Sequence, residues 1–152
     1  MCLLGSMSEQ VIFTQAYGQV LVDTQVPCVI TKWHSFANFQ EMSALLEAAL
    51  AYVKAHGAPT KHWGWVGDTR QMGAIPEKTQ QWLMHDFNPR LAEAGIREVS
   101  MVVADTVFGH MAVQRYTQNT SQAQTQYALR TGYYESVEAA KAGAKALLVS
   151  SY

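Results

Sequence analysis

A chain of 152 residues with 49% hydrophobic and 15% charged residues is long enough for one buried core and too apolar to be disordered. Its net charge of -1, with Lys and Arg scattered along the chain, offers no electrostatic footprint for nucleic acid or an anionic membrane surface. Two cysteines give no disulfide framework, and no segment approaches the roughly 18 apolar residues a membrane span requires.

The opening Met1-Cys2-Leu3-Leu4-Gly5-Ser6 lacks the basic start and apolar length of a signal peptide, so a cytoplasmic location is expected. Gly5-Ser6-Met7 resembles an expression scar, and residues 1–7 are set aside as non-native or disordered. Residues 8–152 are then expected to form a single α/β domain. Its low surface charge suggests self-association, as a homodimer.

Gln10 to Thr14 and Gln19 to Asp23 read as short strands around the turn chemistry of Tyr17-Gly18. A third begins after Pro27, with Cys28, Ile30 and Lys32 facing opposite to Val29, Thr31 and Trp33. Cys28 reads as a small buried hydrophobe. Asn38 and Glu41 have the spacing of a capping box. Phe39, Met42, Leu46, Leu50 and Val53 then repeat at helical spacing until Gly57 and Pro59 stop the helix. Lys61 to Asp68 follows as a strand.

After a loop from Thr69 to Ile75, Pro76-Glu77 opens a helix whose stripe is Trp82, Leu83, Phe87, Leu91 and Ala94. Pro89 falls inside that stripe and predicts a kink or break near His85 to Asn88, with Gly95 ending the helix. Val99 to Ala104 is apolar on both faces, as a mid-sheet strand should be. Val107 to Tyr116 can form a short helix, followed by a polar tract to Gln126 that reads as an exposed loop. Tyr127 to Tyr134 reads as the last strand, and Ser136 caps a closing helix. The order βββαβαβαβα predicts a mixed sheet, antiparallel at the N-terminus, with helices on its faces.

The segments Trp65-Val66-Gly67-Asp68-Thr69-Arg70, Trp82, Asn88-Pro89-Arg90, Ala94-Gly95 and Glu135-Ser136-Val137-Glu138-Ala139-Ala140 resemble those of small stand-alone bacterial STAS-like domains. These share the fold of anti-sigma factor antagonists and are loosely related to CRAL-TRIO lipid-binding domains. The resemblance covers the chain from about Val11 onward and rests on pattern and element order. It implies a noncatalytic regulatory domain that binds a partner protein and is switched by phosphorylation of a serine at a helix N-terminus. The matching place, Ala74-Ile75-Pro76-Glu77-Lys78, holds no hydroxyl, and Thr69 and Thr79 are the nearest alternatives. No lid of the CRAL-TRIO kind is present, so enclosing a whole lipid would take a dimer.

Ligands of open α/β sheets gather beyond the carboxyl ends of the parallel strands, which singles out Asp68, Thr69 and Arg70 and, one strand further on, Asp105 and Thr106. The acids and hydroxyls could meet a polar ligand, with Arg70 as an anion clamp. The alternative is that each Asp caps the loop or helix after it and Arg70 pairs with one of them. Trp63 and Trp65 share a strand face by period two and need a large cover, whether a helix, a second subunit or a ligand. An aromatic pocket of Trp63, Trp65, Phe87 and Met111 would take a small apolar molecule or lipid, whereas Trp33, Trp82, Tyr133 and Tyr134 read as core or interface rings.

Histidines 62, 85 and 110 with Asp68 or Asp86 show no metal-binding spacing, and Gly-x-Ser-x-Gly, Gly-x-Gly-x-x-Gly and the P-loop are absent from the sequence. No catalytic residue, metal or cofactor is therefore expected. A hydrolase-type site around Asp68, Arg70 and His85 is the remaining enzymatic alternative. The partners expected are a protein or a second copy of the chain, with a small apolar ligand as the other possibility.

Overall fold

The computed structural model describes residues 8–57, 62–103 and 129–150. Strands β1 (Glu9–Gln15) and β2 (Gly18–Asp23) form an antiparallel hairpin with a register shift between Val11 and Phe13. Strand β3 (Cys28–Trp33) continues antiparallel against β2. Strands β4 (Gly64–Asp68), β5 (Glu98–Val102) and β6 (Arg130–Tyr134) then add in parallel, so the sheet runs β1-β2-β3-β4-β5-β6. The protein is an α/β fold on a six-stranded mixed sheet, antiparallel at its N-terminal side, as the sequence order predicts. The helix expected over Val107–Tyr116, the polar tract after it, and Asp105, Thr106, His110 and Met111 lie outside the described residues.

Helix α1 (Phe39–His56) starts at the predicted capping box. The Glu41 N–H donates to Asn38 Oδ1 at 2.8 Å, and the Asn38 N–H donates to Glu41 Oε1 at 3.0 Å. These bonds satisfy two of the helix's orphan donors. Helix α2 contains Glu77–Trp82, a π turn at Leu83–Phe87 and Asn88–Glu93.

The kink or break predicted near His85 to Asn88 takes the form of a π turn at Leu83–Phe87, through which the helix continues. Proline cannot donate a backbone bond and crowds the carbonyl four residues back, and the helix absorbs this by widening one turn. The Asn88 N–H reaches Leu83 O, five residues back, and Pro89 falls in the first turn of the piece after it. Gly95, at φ 95°, ends the helix in the left-handed conformation that glycine adopts without strain. Helix α3 (Val137–Ser150) starts with Ser136 Oγ accepting the Ala139 N–H at 3.1 Å.

Alternation along the strands sorts the core into two layers. Val20, Val22, Val29, Trp33, Trp65, Val99 and Met101 join α1 and α2 on one face, while Cys28, Ile30, Val66 and Val102 meet Ala140 of α3 on the other. Both indoles expected to need a large cover are covered by helices. Trp65 packs edge-on to Phe87 at 5.9 Å, and Trp63 edge-on to Tyr52 at 5.8 Å. Cys28 is buried as predicted, and burial, with the neighbouring Asp23 carboxylate, pushes its thiol up to about 12.

Candidate functional site

Between the sheet and its two-helix layer lies a cavity of about 50 Å³. Its floor is one face of β3, β4 and β5 and the residue after β4: Thr31, Trp33, Trp65, Gly67, Thr69, Val99 and Met101. Its walls come from Met42 and Leu46 of α1 and from Leu83, Phe87 and Leu91 of α2, with Met72 and Ile75 reaching in from the loop after β4. Gly67 makes the space. A side chain at this mid-sheet position would fill it, whereas a Cβ built on Gly67 comes within 3.1 Å of Met101 Sδ and 3.6 Å of Thr31 Oγ1.

Thr69 turns the chain at the end of β4. Its N–H and its hydroxyl both donate to the Val102 carbonyl, at 3.1 and 2.7 Å, which ties the start of the loop to β5. The Met72 N–H closes a turn on the Thr69 carbonyl at 3.1 Å. At the far end of the loop, buried Gln80 donates from Nε2 to the Ile75 carbonyl at 2.7 Å. These bonds hold Met72 and Ile75 over the cavity. Phe36, 54% exposed, packs on the outside of the same loop, where a Cβ on Gly73 would stand 3.2 Å from the Phe36 Cβ.

Among the described residues, those singled out from the sequence are divided between the two faces of the sheet, and Asp105, Thr106 and Met111 lie outside them. Thr69 and Trp65 line the cavity, as does Phe87. Trp63 is not among its lining residues and instead borders a small recess under α3 with Gly64, Glu98 and Ser100. Asp68 lies one residue from Thr69 and so faces the α3 side, where it is buried and takes Arg70 Nε at 2.9 Å and Nη2 at 2.8 Å. Arg70 is therefore engaged by its own loop rather than open to an anion, and the bond from the buried carboxylate raises its pKa.

His85 lies exposed on α2, beyond the opposite face of the sheet, so Asp68, Arg70 and His85 are not assembled into an enzymatic constellation. Thr69 and Thr79 are buried, at 1% and 0% exposure, and neither is presented as a phosphoacceptor in this fold. Sequence reasoning missed Thr31, Gly67, Met42, Met72 and Met101. Gly67 inside the β4 pattern was the available signal, since a glycine within a strand marks a close approach or a space left open.

The α3 face carries charge instead. Lys141, 7% exposed, forms an ion pair with Asp23 at 3.0 Å and another with Glu9. Asp23, 3% exposed, also accepts from the Gln25 N–H at 2.9 Å and from Ser8 Oγ at 3.2 Å. Burial pushes the Asp23 carboxyl up, but the bonds from Lys141 and Gln25 outweigh it and hold the group below the ordinary carboxylate range. Lys141 is held above its ordinary value by the same two carboxylates, against the effect of burial. Further along, Tyr134 Oη and Ser100 Oγ both donate to Glu98 Oε2, at 2.9 and 3.0 Å. These contacts fasten the hairpin and β6 to the rest of the domain.

Set against known protein families, curated proteins and solved structures, the chain matches none of them. No helix among the described residues is long and apolar enough to cross a membrane.

Proposed function

We propose that this chain is a noncatalytic domain that binds a small, largely apolar molecule between β3–β5 and helices α1 and α2. The observation that carries the reading is the space above Gly67, an apolar gap between adjacent parallel strands and the helices that cover them. Its walls suit that role. A π turn interrupts α2 where Leu83 and Phe87 enter the lining, and such turns recur at functional sites. Met42, Met72 and Met101 supply flexible, polarisable surface that adapts to a guest.

Native mass spectrometry of the freshly purified protein, together with toluene titration of protein labelled at the methionine methyls, tests this. Toluene is expected to shift the signals of Met42, Met72 and Met101 selectively, and Gly67→Val to suppress the shift by filling the floor. An unliganded mass combined with no selective shift would overturn the reading.

A second reading, a regulatory domain of the STAS-like kind acting through protein contacts or as a homodimer, is favoured by β1. Among the described residues this edge strand pairs with β2 alone, and its Val11 is 47% exposed. An unpaired edge is a template for strand addition. Light scattering at high concentration is expected to give twice the chain mass if β1 pairs with its copy, and a strict monomer would remove the homodimer.

A further inference from the structure

Two threonines in the cavity lining restrict what can bind there. The only oxygen-bearing side chains among its described lining residues are Thr31 and Thr69, and none of that lining is charged. A threonine hydroxyl has one proton and two lone pairs. Thr69 has committed its proton to the Val102 carbonyl in a short bond of 2.7 Å, so Oγ1 has only acceptor capacity left. Thr31 reaches the Val66 carbonyl at 3.5 Å, the outer limit of a hydrogen bond, so its hydroxyl is held weakly and can turn to accept or to donate. A carboxylate or phosphate would find no charge partner in this lining and would lose its hydration without compensation.

Resting on the binding reading above, we infer that the ligand is a small neutral molecule with an apolar body and one hydrogen-bond donor, of the phenol or alcohol type, whose O–H donates to Thr69 Oγ1. The ligand's oxygen then accepts from Thr31. At about 50 Å³ the space is smaller than the ~150 Å³ cavity that takes a benzene ring, so a ring enters as the methionine side chains move aside.

The test compares phenol, toluene and benzoate on the full chain, by calorimetry for affinity and by the methyl signals of Met42, Met72 and Met101 for location. Phenol is expected to bind at least tenfold more tightly than toluene, and benzoate to leave all three signals unmoved. Thr69→Val should abolish the preference while toluene still binds, because the Val102 carbonyl keeps the Thr69 N–H as a partner. Thr69→Ser, which keeps the hydroxyl, should restore it. Thr31→Val is the independent variant should Thr69→Val fail to fold, and it should reduce the phenol preference without abolishing it.

If toluene equals phenol in the unaltered protein, or benzoate shifts the same methyls, the donor assignment is wrong while the cavity remains a binding site. If none of the three probes moves those methyls and the purified protein has an unliganded mass, the binding reading itself falls.

Discussion

Gly64 and Gly67 lie on the same short strand and on opposite faces of the sheet, and a methyl group added to each would meet different surroundings. At Gly64 it would stand 2.9 Å from the Ala144 Cβ and 3.3 Å from the Cys28 Cβ, because α3 lies directly on the strand. At Gly67 it would meet the end of a methionine at 3.1 Å and otherwise enter the cavity. The α3 face is closed by small residues and fastened by ionic and hydrogen-bonded groups: Lys141 with Asp23 and Glu9, and Tyr134 with Glu98. The opposite face is apolar and looser. One sheet thus supports a rigid attachment on one side and an adaptable space on the other, with strand alternation keeping the two chemistries apart.

The largest effect that would sharpen this contrast is expected at Lys141. Lys141→Met leaves Asp23 buried without its cation, and breaking a buried pair from one side costs about 3–5 kcal/mol. Chemical denaturation should show this loss, and combining the change with Asp23→Asn and Glu9→Gln should recover much of it. A loss below about 1 kcal/mol would mean that the α3 face is not fastened by this network.

The pH dependence comes from the directions of the two shifts. Asp23 is depressed in the folded state, so its contribution is present above its unfolded value near ~3.9 and is lost as pH falls through the lower folded value. Lys141 is raised, so its contribution is present below ~10.4 and is lost as pH rises through the higher folded value. Denaturation midpoints measured against pH should therefore fall more steeply below about pH 4 in the unaltered protein than in Asp23→Asn. Parallel curves would break the assignment.

A smaller effect is expected at Gly64. Gly64→Ala must push α3 away from β4, since neither the Ala144 methyl nor the backbone beneath it is a flexible tip, and overpacking of this kind costs about 1–3 kcal/mol. A neutral result would show that α3 sits on the sheet as loosely as α1 and α2.

The α3 face and the cavity face also differ in how far the sequence reveals them. The succession of elements along the chain, the Asn38–Glu41 box and the burial of Cys28 are local or periodic properties, and each is legible in the sequence. So is the pairing of Arg70 with Asp68, which needs only two residues of separation. The π turn is less so, because Pro89 announces a disturbance without saying whether the helix breaks or widens. The partnership of Glu9 and Asp23 with Lys141 spans most of the chain and leaves no pattern of spacing. The cavity is hardest to read, being a space bounded by five separate segments whose residues look like ordinary core. Thr69 stands out in the sequence for its place at a strand end, but alternation separates it from Asp68 and Arg70, and the site it joins is apolar.

Gly67→Ala is the counterpart of Gly64→Ala and carries the smallest expected effect on stability. Gly67 is not at positive φ, so alanine is compatible with its backbone. The new methyl touches only the mobile end of Met101 at a tight distance. Restricting the unfolded chain favours the alanine form by about 0.4–1 kcal/mol, and moving the methionine offsets part of that. A midpoint equal to or slightly above that of the unaltered protein is expected, together with weaker toluene binding. If Gly67→Ala instead destabilises as much as Gly64→Ala, the space above β4 is as tightly packed as the α3 face, and the difference between the two faces disappears.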